Sequence, residues 1–318
     1  MDGANWDDGR GIVDLTAVDQ SARLSIAVAR GFNAFRWDVD QAGETIPILW
    51  SEPAFPDRSA RATGSGIPLL FPFGGRIAGR RYEWRGRTYE LPEGDGRGNA
   101  IHGAVFDRPW HIVECSGDRV TARFHAGADW PQWESQWPAD FRIDCSYRLQ
   151  PRALVVAFDI ENRSHAPLPC GLGIHPYFAV DLDREPVRLD LPATRRWELQ
   201  GLVPTGEFSP WDNPPAGMPL KDVVLDDVVS DWSDSGGDGT QRVTLRRGPS
   251  HPDVTLSFDA SDFPFCVVYT APTRRAVCIE PYSMLPNAFE LRERGIETGM
   301  WLIEPGDGRS TEIRIELA

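Results

Sequence analysis

Six histidines occur in this chain, and two of them sit in surroundings that suit proton transfer. His175 stands in "GLGIHPYF", between an apolar, Gly-rich lead-in and the aromatic residues Tyr177 and Phe178. Pro176 biases His175 toward extended backbone. The aromatic pair offers apolar faces of the kind that suit the C–H faces of a sugar ring. The competing reading is a packed histidine bonded to a backbone carbonyl. His102 stands in "GNAIHGAVFDRPW", where flanking glycines let backbone and ligand approach closely; a structural or surface role is the alternative. Glu280, in "AVCIEPYS", ends an apolar run whose strand should face the interior. Desolvation there raises a carboxyl toward the pKa of a useful general base, unless the strand ends in water. Arg76, in "PFGGRIAGRRYEW", lies in a cramped glycine loop, and its planar donor fork suits adjacent hydroxyls or a carboxylate. An imidazole and a partly desolvated carboxyl together form an acid/base pair.

Other chemistries find no footing. The one lysine, Lys221, is not in a phosphate-loop context. There is no G-x-S-x-G elbow, and no H-x-H or H-E-x-x-H, so no metal site is expected. The net charge of −14 should repel phosphate backbones and anionic membranes, so neither nucleic acid nor membrane is an expected partner. The five cysteines are scattered, odd in number and free of C-x-x-C, which fits a reducing compartment. "MDGANWDDGR" lacks the basic and apolar regions of a secretory leader. A cytoplasmic protein is expected.

Short strands must position these residues. "FRIDCSYRLQ" places Phe141, Ile143, Cys145, Tyr147 and Leu149 on one face, the period-2 signature of a half-buried strand. "TEIRIEL" repeats the pattern, and "RYEWRGRTYEL" predicts a hairpin about Arg85-Gly86. "LVVAFDIENRS", "VTLRRG", "DVTLSFDA", "FCVVYTAP" and "RAVCIEP" add further strands at short intervals. No stretch keeps helical period beyond about two turns. The polar "SDWSDSGGDGTQ", Ser230 to Gln241, predicts a surface loop. The whole, residues 1–318, reads as a single all-β domain, an antiparallel sandwich or barrel with few short helices.

Taken together, the segments resemble the galactose mutarotase (aldose 1-epimerase) family. The matching pieces run in family order: "GIPLLFPFGGRIAGRRYEWRGRTYELP", "GNAIHGAVFDRPW", "WPADFRIDCSYRL", "GLGIHPYF", "LDDVVSDW" and "CIEPYSMLPNAF". The likeness extends from about Leu24 to the C-terminus. It implies a large antiparallel β-sandwich, the mutarotase-like supersandwich, with a monosaccharide bound across an open face. It implies interconversion of α and β anomers without a cofactor. Glu280 matches the general base that takes the anomeric hydroxyl proton. His175 matches the general acid that protonates the ring oxygen, and His102 the second histidine near that oxygen. Arg76 and Asp226 match residues that hold sugar hydroxyls, with Asp227 adjacent as an alternative. Gly75 departs from the family, which commonly has Asn there, and this puts sugar preference in doubt. A monomer or homodimer is expected.

Two further readings stay open at this stage. One is a non-catalytic sugar-binding module, which would not need both His175 and Glu280. The other is an epimerase of sugar phosphates, with Arg80 and Arg81 as the cationic clamp, although exposed hairpin arginines are the simpler reading of these two. A glycosidase would need a second acid in a context like that of Glu280, and none stands in one. The chemistry favours the anomer reaction: ring opening removes one proton from O1 and adds one to O5, which predicts an acid and a base on opposite sides of a short span.

Overall fold

Alternating apolar and polar side chains are realised as strand after strand. The computed structural model describes the backbone of residues 5–7 and residues 11–212, 217–233 and 237–318. Most of the N-terminal decapeptide and part of the Ser230–Gln241 segment lie outside these residues.

The chain is all-β, built on large antiparallel sheets. A nine-stranded sheet is organised about Phe141–Gln150 and Ala153–Asn162, registered residue for residue from Phe141 opposite Asn162 to Gln150 opposite Ala153. Along Phe141–Gln150 burial alternates as the sequence predicts, with Phe141, Ile143, Cys145, Tyr147 and Leu149 all inside. An eight-stranded sheet carries Ala193–Gln200, Asp226–Trp232, Phe265–Thr270 and Ala276–Tyr282 side by side. A third sheet, of five strands, is a meander at the N-terminal end. One continuous core joins all three, drawing Trp37 from the meander, Phe141 and Ile143 from the nine-stranded sheet, and Val268, Val277 and Ile279 from the eight-stranded one. Among the described residues the helices are Ala126–Asp129, Trp133–Gln136 and Ala288–Glu293. None is long and apolar enough to cross a membrane.

The predicted hairpin forms from Arg81–Trp84 and Arg87–Glu90. Arg85 and Gly86 both take positive φ, 50° and 77°, which matches the right-handed twist of the two strands. One boundary differs from expectation. Ser230 to Trp232 complete the strand Asp226–Trp232 instead of opening a loop. Ser230 lies opposite Phe265 in the ladder and its hydroxyl accepts a hydrogen bond from Trp197 Nε1 at 3.0 Å, so pairing overrides local polarity. All five cysteines are free.

The strand Ala276–Tyr282 is buried along its entire length, and its two faces differ. Val277 and Ile279 enter the main core, while Cys278, Glu280 and Tyr282 point to the opposite face. That opposite face is flanked by two small apolar clusters, one holding Trp197, Val228 and Val267, the other Tyr177 and Cys278. The candidate residues collect between them.

Phe141 anchors the loop that leads to Arg76, because its ring meets Phe71 edge-on at 4.7 Å with both residues fully buried. Phe141→Ala should cost about 3–5 kcal/mol of unfolding free energy, measured by denaturant titration; a loss below about 1 kcal/mol would mean the site loop does not rest on this contact.

Candidate active site

Strand register brings His175 to Glu280. Gly173 lies opposite Tyr282, and Tyr177 lies opposite Cys278, so the antiparallel count puts His175 opposite Glu280. The ladder is interrupted between these pairs, where Pro176 and Pro281 each lack an N–H to donate. His175 N–H donates instead to Pro68 O at 3.0 Å. Nε2 of His175 then stands 3.3 Å from Oε1 of Glu280. The other carboxyl oxygen, Oε2, accepts a hydrogen bond from the Tyr282 hydroxyl at 2.8 Å. The imidazole and the carboxyl are therefore immediate neighbours. The expected short span is 3.3 Å here, and O1 and O5, being bonded to one carbon, lie within reach of two groups this near.

Burial governs the electrostatics. Glu280 is pushed well above the usual carboxyl range, chiefly by desolvation, with Asp226 adding repulsion and the Tyr282 hydrogen bond and Arg76 opposing. Desolvation pushes His175 down to about 3, helped by the positive charges of Arg61 and Arg76. Both shifts favour the uncharged forms. The neutral pair, with its proton on Glu280, and the ion pair, with that proton on His175, differ only by one proton moved across a 3.3 Å gap. The imidazole of His175 stacks flat on Tyr177, centroids 4.7 Å apart and planes 2° off parallel, which fixes its orientation.

His102 is buried and meets His175 edge-on, ring centroids 5.6 Å apart. Its backbone takes φ 66°, a conformation that favours glycine, and is held there by Gly75. His102 N–H donates to Gly75 O at 2.9 Å, and Gly75 N–H donates to His102 Nδ1 at 3.3 Å. Since Nδ1 accepts, the proton of the neutral ring belongs on Nε2. Burial keeps this ring neutral, lowering its pKa far below the ordinary value, and the positive charges of Arg76 and Arg61 add to the effect.

These groups line a cleft of about 250 Å³ with Arg76, Asp226 and Glu280. That is many times the roughly 10–15 Å³ one water needs, a space on the scale of one monosaccharide. Arg76 Nε donates to Asp95 Oδ2 at 3.0 Å, and Asp95, lowered to about 2, is further held by Asn99 and by the Arg97 N–H. Asp226 lines the cleft and is raised by burial. Asp227 points away and pairs with Arg196 at 2.7 Å. Phe178, expected beside the ligand, is fully buried in the main core instead. Strand alternation sends it to the face opposite Tyr177. Arg80 and Arg81, the candidate phosphate clamp, both pair with Glu90 on the exposed hairpin, at 2.9 and 3.1 Å, and neither lines the cleft.

The sequence reading missed Arg61, Asp95, Tyr269 and Tyr282, which also line the cleft. Tyr282 carried a usable signal, since it lies two residues from Glu280 on a strand and so shares its face. His175, Cys278 and Glu280 present potential metal-ligand atoms within 4.8 Å of one another, all three residues being buried.

Gly75 also explains its own departure from the family pattern. It takes φ 65°, and a Cβ there would lie 2.4 Å from Pro286 Cγ. The missing side chain and the proline ring are two halves of one packing solution.

A family model described as aldose 1-epimerase matches residues 35–316. The uncharacterized protein YphB of Escherichia coli K12 is 22% identical over 303 residues, spanning 89% of this chain and 96% of its own length. A galactose mutarotase-like protein from Clostridium acetobutylicum has a similar fold, with TM-score 0.84 and 18% identity over 96% of this chain and 95% of its own. A putative aldose 1-epimerase from Escherichia coli K12 also shares the fold, with TM-score 0.76 and 20% identity over 97% and 99% of the two chains.

Two outcomes follow from this geometry. Tyr282→Phe removes a donor to the Glu280 carboxylate and should raise the Glu280 pKa further, by about one unit, as read from carboxyl ¹³C shifts; an unchanged or lower value would mean the hydroxyl does not hold the charged form. Gly75→Asn should lower stability by about 1–3 kcal/mol through the clash with Pro286. Adding Pro286→Ala should restore part of that loss, and strict additivity of the two losses would refute the coupling.

Proposed function

The chain belongs to the aldose 1-epimerase family, and we propose that it interconverts the α and β anomers of a free aldose. One observation carries the reading: a carboxyl and an imidazole 3.3 Å apart at the buried floor of a sugar-sized cleft. A module that only binds sugar gains nothing from desolvating both groups, because each shift costs stability or affinity unless proton transfer uses it.

The reaction starts from the ion-pair form. The Glu280 carboxylate takes the proton from the anomeric O1–H. The O1 electrons form the aldehyde carbonyl as the C1–O5 bond breaks, and the protonated His175 delivers its proton to O5. The enzyme is left as the neutral pair. The open aldehyde rotates about C1–C2, and closure reverses each transfer on either face. Proton number on the pair plus sugar is constant throughout, so the cycle needs no exchange with bulk water. His102, with its proton on Nε2, can donate a hydrogen bond near O5 as charge develops there. Arg76 and Asp226 hold hydroxyls, and Arg76 is kept in place by Asp95.

Mutarotation already proceeds in water, so the required barrier reduction is modest. Two placed proton carriers at roughly 10²–10⁴-fold each supply it. Polarimetry of freshly dissolved α-glucose and α-galactose should show acceleration by the protein. Glu280→Gln and His175→Asn should each lower kcat by about 10²-fold or more. Full activity in Glu280→Gln would exclude this mechanism, and no acceleration of any aldose, neutral or anionic, would exclude the function.

A further inference from the structure

We propose that the preferred sugar carries an anionic group at the end remote from its anomeric carbon, and that Arg61 and Arg97 receive it. This rests on the anomer-exchange reading above. Glu280 and His175 hold the anomeric end at the buried floor, with side chains only 2% and 9% exposed. A ring seated there turns its far end toward the mouth. Arg61 and Arg97 line the cleft and are both exposed, so they belong to its rim.

They arrive from separate segments. Arg61 lies between the strands Glu44–Pro47 and Leu69–Leu70, in a stretch tied to the histidine region where Thr63 O accepts from the Tyr177 hydroxyl at 2.9 Å. Arg97 lies between Arg87–Glu90 and Ala100–Ile101, in the loop held by Asp95. Neither guanidinium has a carboxylate partner among the described residues. Arginines around them do: Arg76 has Asp95, Arg80 and Arg81 share Glu90, and Arg196 has Asp227.

The charges of the cleft make the rim positive. Arg76 and Asp95 balance each other, and burial favours the neutral form of Glu280. Of the remaining lining carboxyls, Asp226 faces the two guanidinium groups, and Arg97 is among the charges that act on it. A chain of net charge −14 repels anions in general, so a positive mouth is a local exception that focuses them. A neutral hydroxymethyl group draws only ordinary hydrogen bonds from such donors. An oxyanion draws charge-assisted ones, and two guanidinium forks offer more donors than a hydroxyl can use.

Anomer exchange of glucose, glucose 6-phosphate, glucose 6-sulfate and glucuronate, followed by NMR at low and high sodium chloride, tests this. At least one anionic sugar should exceed glucose in kcat/KM by about tenfold. The advantage should shrink with salt. The ratio should fall toward one in the double variant Arg61→Gln, Arg97→Gln. The three anions separate a tetrahedral ester from a carboxylate as the recognised group. If glucose is accelerated and equals or exceeds all three, this inference fails and the anomer reaction stands. If no sugar is accelerated, both fail.

Discussion

One buried contact, the imidazole of His175 against the carboxyl of Glu280, sets the demands on everything around it. Two titratable groups removed from water are expensive to keep unless each is paired and hydrogen-bonded. Here they are paired with each other at 3.3 Å and Tyr282 serves the free carboxyl oxygen, while Nδ1 of His175 is buried without a hydrogen-bond partner. Desolvation favours the uncharged forms of both. The pair therefore acts as one unit that holds one proton and can present it from either end.

The scaffold maintains that contact through register. Gly173 opposite Tyr282 and Tyr177 opposite Cys278 leave His175 and Glu280 facing across a gap in the ladder. Slipping either strand by one residue would send the imidazole or the carboxyl to the core side of the sheet. Glycine enforces the approach as well. A Cβ on Gly173 would lie 2.6 Å from the Tyr282 ring, the ring whose hydroxyl steadies Glu280. The positive φ of His102 and its two-way hydrogen bonding with Gly75 place the second histidine edge-on to the first.

Sequence reading reached the strands and singled out His175 and Glu280, because both leave local traces. Phe141 to Leu149 alternate visibly, Arg85-Gly86 is a turn dipeptide, and Glu280 ends an apolar run. What it could not reach depends on register and on loops. Nothing near residue 175 says that residue 280 lies opposite. Asp95 is 19 residues from Arg76, and no periodic pattern links them. Phe178 was misplaced because aromatic character says nothing about which face of a strand it takes. Arg80 and Arg81 are the exposed hairpin arginines of the simpler reading, paired with Glu90 on the other arm. Arg61 and Arg97 carry no local signal, and their meaning comes from the cleft they share.

The central claim is that one proton shared by a desolvated pair drives anomer exchange, and the pH dependence of kcat tests it most directly. With His175 held near 3 and Glu280 raised, the singly protonated pair persists across the whole span between those values. Exchange rates measured by NMR should stay flat through pH 6.5, the ordinary histidine value, and fall on the acid side only well below it. An acid limb centred near 6.5, as an ordinary solvated imidazole gives, would contradict the account.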